Sequence, residues 1–309
     1  MNRIVLFTLI IGILGYGCGC GSSTQNKNKD IFAEIVQDGS ELDTIIDTNE
    51  SSIETLQILQ NISSSPVEMA ALLQATGVPF NENYITSIDG IDRYNTDFKR
   101  ALNLGIFGAD LGYLNMYKKT GPVMTNMRAI RKLSEELRVQ QFFDFNTIRR
   151  LATNNENLDS LMYISVSSFN NMDAHLQKTG RSEISALIIC GTWLEGMYIA
   201  TQVVKNARDN EEVIERIGEQ KTIVENLVEI LSSYRKKKQF DDMYIQYKRI
   251  LDSFDGITKT IVQGEPEEIE MDGMLIYVQN ETSFVDVPKE TLDSIIEVIE
   301  SVRNEIIHL

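Results

Sequence analysis

The run Ala186-Leu187-Ile188-Ile189-Cys190-Gly191-Thr192-Trp193-Leu194-Glu195-Gly196-Met197-Tyr198-Ile199-Ala200-Thr201 carries one charge, Glu195. It lies inside a longer helical stretch, residues 182–208. A helix that is apolar on every side is either the centre of a core or a membrane span. A span needs about 20 apolar residues, and this run is shorter. The stretch therefore predicts the central helix of a helical domain.

Its neighbours read as the layers around it. In residues 211–234, Ile217, Val224 and Leu231 recur seven apart, with Val213, Leu227 and Val228 beside them. Residues 240–254 repeat the pattern with Met243, Tyr244, Tyr247, Ile250 and Leu251. These two segments are expected to be antiparallel neighbours in a bundle. Upstream, residues 96–119 form a long helical stretch that ends at Gly121. Pro122 starts another, with Val123, Met127, Ile130 and Leu137 on one face. The pattern continues through 146–153 and 158–177, until Gly180 breaks it. A shorter helix starts at Ser65-Pro66-Val67-Glu68, a capping-box arrangement, and stops at Gly77 before Pro79. An earlier helix covers 53–62.

The texture changes after Gly264. Residues 268–271 and 274–278 flank Asp272-Gly273, a pair suited to a two-residue hairpin turn. A second turn at Asn280-Glu281 leads into 283–287. Pro288 then opens a last helix whose apolar face is Leu292, Ile295, Ile296, Ile299, Val302 and Ile306. The fold class expected is mainly α: an antiparallel helical bundle with a small C-terminal β-meander and a terminal helix. The helical body covers 51–262, the meander 267–287 and the terminal helix 288–308, within a single domain of residues 31–309. No helical-repeat period recurs.

The first thirty residues have another purpose. Arg3 precedes an apolar run over 4–14, followed by Gly15-Tyr16-Gly17-Cys18 and a polar stretch. A basic start, a short apolar core and a small-residue cleavage site make an export signal, expected over residues 1–17. The segment resembles a bacterial lipoprotein signal, in which cleavage leaves an acylated N-terminal cysteine. Cys18 takes that place with Gly17 before it. The position where that family favours Leu is Gly15, and Cys20 is the second choice for processing. The resemblance implies two or three acyl chains, enough for stable membrane attachment, and makes 18–30 a tether. The location expected is the cell envelope, at the outer membrane or facing the periplasm.

Composition sets limits on partners. The chain has 29 basic and 45 acidic residues, a net charge of −16, and loss of Arg3 with the signal makes it −17. That balance argues against nucleic acid and against electrostatic binding of anionic head groups. Hydrophobic residues make up 42%, so the chain is not of disordered composition. Of the three cysteines, Cys18 and Cys20 lie at the processing site, and Cys190 reads as a small core hydrophobe.

Two segments carry the chemistry worth weighing. One is Asn103-Leu104-Gly105-Ile106-Phe107-Gly108-Ala109-Asp110-Leu111-Gly112-Tyr113; the other is Gly191 to Tyr198 in the opening run. Together they resemble a group of uncharacterised bacterial helical lipoproteins, over roughly residues 95–235, and the resemblance brings no function with it. Glycine in a helix costs about 1 kcal/mol against alanine. Gly105, Gly108 and Gly112 share a face, which suits close packing against a second helix bearing Gly191 and Gly196; the alternative use of such a strip is room for a ligand.

Asp110 and Glu195 each sit in an apolar setting. A buried carboxylate must be hydrogen-bonded or paired, and desolvation would raise its pKa as acid catalysis requires. Asn103, Tyr113, Trp193 and Tyr198 are the candidate pocket residues around them. The structural alternative bonds Asp110 to Asn103 or a tyrosine, or pairs it with Arg100 or Arg128. His175 and His308 have no zinc-site spacing, no phosphate-binding loop is present, and no cofactor or metal is expected. The basic run Arg235-Lys236-Lys237-Lys238 follows a helix C-terminus, where the dipole favours cations; contact with anionic head groups is the other reading. The function expected is a membrane-anchored envelope lipoprotein with a non-catalytic binding or scaffolding role, whose partner is an envelope protein or a small ligand. The alternative is a hydrolase of envelope glycan or cell-wall material, with Glu195 as general acid and Asp110 as partner carboxylate.

Overall fold

The computed structural model describes residues 72–154, 158–264, 267–271, 274–278 and 281–307. The signal, Cys18, Cys20, the helix expected over 53–62, the start of the one expected from Ser65, the turn residues Asp272, Gly273 and Asn280, and His308 lie outside the described residues. The end of the Ser65 helix is described, helical over 72–75 and stopped by Gly77 at φ 70° as expected. The fold is mainly helical, with a small antiparallel sheet near the C-terminus and a terminal helix.

Helix α1 spans Asp97–Met116, and Thr96 caps it by accepting the Lys99 N–H at 3.3 Å. Its end is a Schellman motif: the Lys119 N–H donates to Leu114 O at 2.9 Å and the Lys118 N–H to Asn115 O at 3.0 Å. Lys118 takes the left-handed conformation, at φ 58°. This turn ends the helix three residues before Lys119, where the hydrophobic pattern had carried it. Helix α2 is Thr120–Glu136, with Pro122 inside its first turn. A second Schellman turn closes it, with Val139 N–H on Ser134 O at 2.9 Å and Arg138 at φ 59°. Helix α3 is Phe145–Asn154, capped by Asp144. Helix α4 is Leu158–Lys178, and Gly180 at φ 68° stops it as the sequence predicts.

Helix α5, Ser182–Val204, is the centre. It is long and apolar enough to cross a bilayer, yet 89% of that window is buried inside the protein. Helices α1, α4, α6 (Glu211–Ser232) and α8 (Lys289–Ile307) all pack on it, and α7 (Lys238–Asp252) packs on α6 and α8. Buried side chains come from all sides of α5, including Leu187, Leu194, Cys190, Ala200 and Val203. The helix stops at Val204, short of the expected 208, and α6 stops at Ser232.

The helical body ends at Asp252, not at 262. Residues Thr258–Gln263 form strand β1, whose six residues are all exposed, so no alternation marks it. Strands β2 (Glu267–Met271) and β3 (Met274–Val278) are an antiparallel hairpin in which Met271 faces Met274, the register expected of a two-residue turn. Strand β4 (Glu281–Asp286) pairs with β1 and not with β3, so the pairing is nested where consecutive meander pairing was expected. Of the described residues, those within 261–283 belong to one compact unit, and those within 72–260 and 284–307 to the other. Within this second unit, Gly218 of α6 leaves space for Val285 and Val287: a methyl there would lie 2.5 Å from Val287 Cγ2. Glu215 Oε1 accepts the Val285 N–H at 3.0 Å and fixes the chain on its way into α8.

The backbones of α1 and α5 approach each other closely at two glycines. A methyl group on Gly105 would run into the carbonyl oxygen of Ile188 and lie 2.7 Å from the Thr192 nitrogen. A methyl on Gly191 would run into the carbonyl of Leu102 and lie 3.3 Å from the Ile106 nitrogen. Thr192 Oγ1 donates to Ile188 O at 2.9 Å and to Gly105 O at 3.3 Å across the same contact. The sequence reading of tight packing is right for this pair and wrong for the remainder of the strip: Gly108, Gly112 and Gly196 have nothing within 4 Å of an added methyl.

These contacts set opposite expectations for one substitution. Gly105→Ala or Gly191→Ala forces the two backbones apart and is expected to lower stability by about 3 kcal/mol or more. Gly108→Ala gains helix propensity in open space and is expected to raise it by up to about 1 kcal/mol. Urea unfolding of the three variants measures both effects; equal destabilisation by all three would refute the crossing.

Candidate functional site

Four elements of the second unit converge on one polar cluster. Asp110 comes from α1, Glu195 from α5 and Arg303 from α8. Thr86 comes from the loop between the 3₁₀ turns Glu82–Tyr84 and Ile91–Arg93. Asp110 and Glu195 are 0% exposed, Arg303 6% and Thr86 8%. The α1–α5 crossing explains part of this. Asp110 lies five residues past Gly105 and Glu195 four past Gly191, so each acid follows its glycine by little more than one turn.

Arg303 grips Glu195 with a fork. Its Nε donates to Oε2 at 2.9 Å and its Nη2 to Oε1 at 2.7 Å. Nη2 also donates to Thr86 Oγ1 at 2.8 Å, and that hydroxyl donates onward to Glu195 Oε1 at 3.3 Å. The guanidinium lies 4.3 Å over the Tyr198 ring, a cation–π contact strengthened by desolvation. The Thr86 N–H donates to Asp110 Oδ2 at 3.0 Å. Asp110 Oδ1 accepts nothing among the described residues.

That unused oxygen agrees with the electrostatics. Burial first, and the neighbouring Glu195 carboxylate second, push the Asp110 carboxyl well above the usual range; the Thr86 N–H and Arg303 pull the other way. A protonated Asp110 becomes a donor and can share its proton with Glu195. The cluster then holds one cation, one carboxylate and one neutral acid, which is the arrangement a low-dielectric interior tolerates best. Burial also raises the Tyr94 and Tyr198 phenols beside it.

The expected pocket does not assemble as a unit. Asp110, Glu195 and Tyr198 come together. Trp193 points away from Glu195: its Nε1 donates to Gln220 Oε1 at 3.1 Å and its ring lies 6.0 Å from Tyr247. Two residues along a helix turn the side chain by about 200°, which explains the separation. Tyr113 accepts the Asn81 N–H at 3.1 Å and stacks with Phe80 at 5.4 Å; burial pushes its phenol up to about 12. Asn103 donates to Lys99 O at 2.9 Å within its own helix. None of the partners named for Asp110 in the sequence reading contacts it. Arg100 bonds Glu136 at 2.7 Å and Asp97 at 3.2 Å, and Arg128 bonds Thr125 Oγ1 at 3.0 Å.

Arg303 and Thr86 were missed. For Arg303 a signal existed: Ile295, Ile299 and Arg303 are spaced by four, so the cation sits on the buried stripe of α8. Thr86 had none, since a loop threonine is ordinary. Elsewhere, Cys190 is a core residue whose thiol burial pushes up to about 12, and Tyr247 Oη donates to its carbonyl at 2.7 Å. The run Arg235–Lys238 bridges two helices, with Lys238 opening α7. Arg235 bonds Asp241 at 2.7 Å and stacks 4.1 Å over Tyr244, and Lys237 pairs with Glu183 at 2.6 Å. The structure thus places these cations at the start of α7 as well as beyond the end of α6, with acids holding two of them.

Removing one charge of the buried pair strands the other. Glu195→Gln is expected to lower stability by about 3–5 kcal/mol. Asp110→Asn keeps a donor toward Glu195 and is expected to change little at acid pH. Because the folded-state pKa of Asp110 is raised, the folded chain retains a proton that the unfolded chain gives up near pH 3.9. Stability from this group is complete below that pH and falls as pH rises toward the folded value. Urea unfolding across pH is therefore expected to show a decline in the wild type that is reduced in Asp110→Asn. A stabilised Glu195→Gln variant would overturn the pairing.

Comparison with known proteins found no match to a protein-family profile, a curated protein or a solved structure.

Proposed function

We propose that this chain is an exported, lipid-anchored protein of the cell envelope that binds or scaffolds and does not catalyse at Asp110 and Glu195. The observation that carries the non-catalytic part is the burial of both acids. At 0% exposure, Glu195 is bonded by Arg303 and Thr86 and Asp110 by the Thr86 N–H, so the two acids hold four elements together. A carboxylate-dependent glycoside hydrolase uses two carboxylates about 5–9 Å apart across an open cleft, and sealed side chains offer a glycan no approach. The anchored part rests on Arg3, the apolar run over 4–14 and Gly17-Cys18.

Two measurements test this. Cells expressing the chain and fed a clickable fatty acid are expected to label it, and Cys18→Ser to abolish the label and release the protein from the membrane fraction. Label that survives Cys18→Ser and disappears with Cys20→Ser would move the anchor by two residues; no label in any form would remove the anchor. Incubation with isolated cell-wall material is expected to give no product, and turnover lost in Asp110→Asn or Glu195→Gln would establish the hydrolase reading in its place.

A further inference from the structure

We infer that the outer face of α2, with the turn that follows it, docks on a bilayer surface carrying anionic head groups. Residues 118–150 hold eight Lys and Arg against Glu135, Glu136 and Asp144. This inverts the sign of a chain whose net charge is −16. Net charge governs long-range attraction, but at contact only charges within about 8–10 Å of the surface count. The whole-chain argument against anionic head groups therefore does not reach this face.

The geometry makes the charges a stripe. Met124, Arg128, Arg131 and Glu135 recur at spacings of four, three and four, so they lie on one face of α2, and all four are exposed. Met124 is 41% exposed, an apolar group on the same stripe. Exposed Arg138 continues it beyond the helix end. Arg131 lies 4.7 Å over the ring of half-buried Phe145, which stacks on half-buried Phe143 at 5.7 Å. Cations above partly exposed aromatics suit the polar–apolar boundary of a membrane.

The acids nearby are largely committed. Glu136 is held by Arg100 at 2.7 Å, and Asp144 caps α3 through the Thr147 N–H at 3.0 Å. Lys132, at the edge of the stripe, is paired with Asp92. Glu135 remains on the stripe between Arg131 and Arg138.

The inference deepens the anchored reading and rests on it for the nearness of a bilayer. Leu72, where the described chain starts, is 54 residues past Cys18, a span of at most roughly 190 Å when extended. The anchor alone therefore fixes no orientation. A basic face would hold the domain against the head groups, with each cation adding about fivefold in affinity.

The test uses the full chain purified from membranes and reconstituted into brominated-lipid vesicles, made of phosphatidylcholine alone or with phosphatidylglycerol. Met124→Trp supplies the probe, since Trp193 is only 3% exposed and gives an unchanged background in the parent chain. Fluorescence of the Met124→Trp variant is expected to be quenched on anionic vesicles and much less on neutral ones. High salt is expected to reverse the difference. Adding Arg128→Glu and Arg131→Glu is expected to reduce it at least about fivefold, while Arg128→Lys with Arg131→Lys preserves it; unchanged melting confirms that the variants fold. Equal quenching on both vesicles, or none, overturns the proposal. Retention on a polyglutamate matrix without a vesicle response overturns it too and assigns the face to an acidic polypeptide. Flotation separates the two readings: a chain that floats only with anionic vesicles, and loses this with the Glu substitutions, keeps the face and loses the anchor. A chain that floats with neutral vesicles but shows no lipid-dependent quenching keeps the anchor and loses the face.

Discussion

Glu195 places a carboxyl group at the centre of a helix buried along most of its length. The carboxylate is 0% exposed, so water cannot solvate it, and its counter-charge has to arrive on another element. Arg303 brings it from α8 and binds in a two-pronged geometry at 2.7 and 2.9 Å. This pairing fixes the terminal helix both along and around its axis. An apolar stripe alone would leave α8 freer to slide on α5, because dispersion contacts are numerous but individually weak. The same guanidinium holds Thr86, and Thr86 holds Asp110, so one cation organises a loop and three helices.

The second constraint is steric. Gly105 and Gly191 let the α1 and α5 backbones meet with no side chain between them, each glycine lying against the other helix's carbonyl. That approach brings Asp110 within electrostatic reach of Glu195. Two acids so placed cannot both be charged at low energetic cost, and burial together with the Glu195 carboxylate pushes the Asp110 carboxyl well above the usual range. The carboxyl pair therefore follows from the glycine contact together with a single available arginine.

These two constraints place the polar cluster of the unit indoors, with no ligand required to explain it. What can meet a partner lies on the outside. There the charge is unevenly spread, with the cations of 118–150 on and beyond α2 in a chain that is acidic overall. Such a division gives the domain a physical reason to turn one side toward an anionic surface.

Much of the fold was legible because burial leaves a periodic trace. Leu292 to Ile306 on α8, and Ile217, Val224 and Leu231 on α6, recur at helical spacing and are buried as expected. Gly180 ended its helix because a left-handed residue was needed there. Lys118 and Arg138 hid the same turn, since nothing in a lysine or arginine announces a positive φ. Strand β1 hid because exposure on both faces removes alternation. Sequence by itself determined that α5 is central and that Asp110 and Glu195 must be compensated: both follow from the cost of burying polar groups, a local property of composition. Only the tertiary structure decided that Arg303 and Thr86 compensate them, and that Trp193 and Tyr113 stand apart. Partners separated by 108 and 109 residues are chosen by which helix faces pack together, and no local pattern encodes that choice.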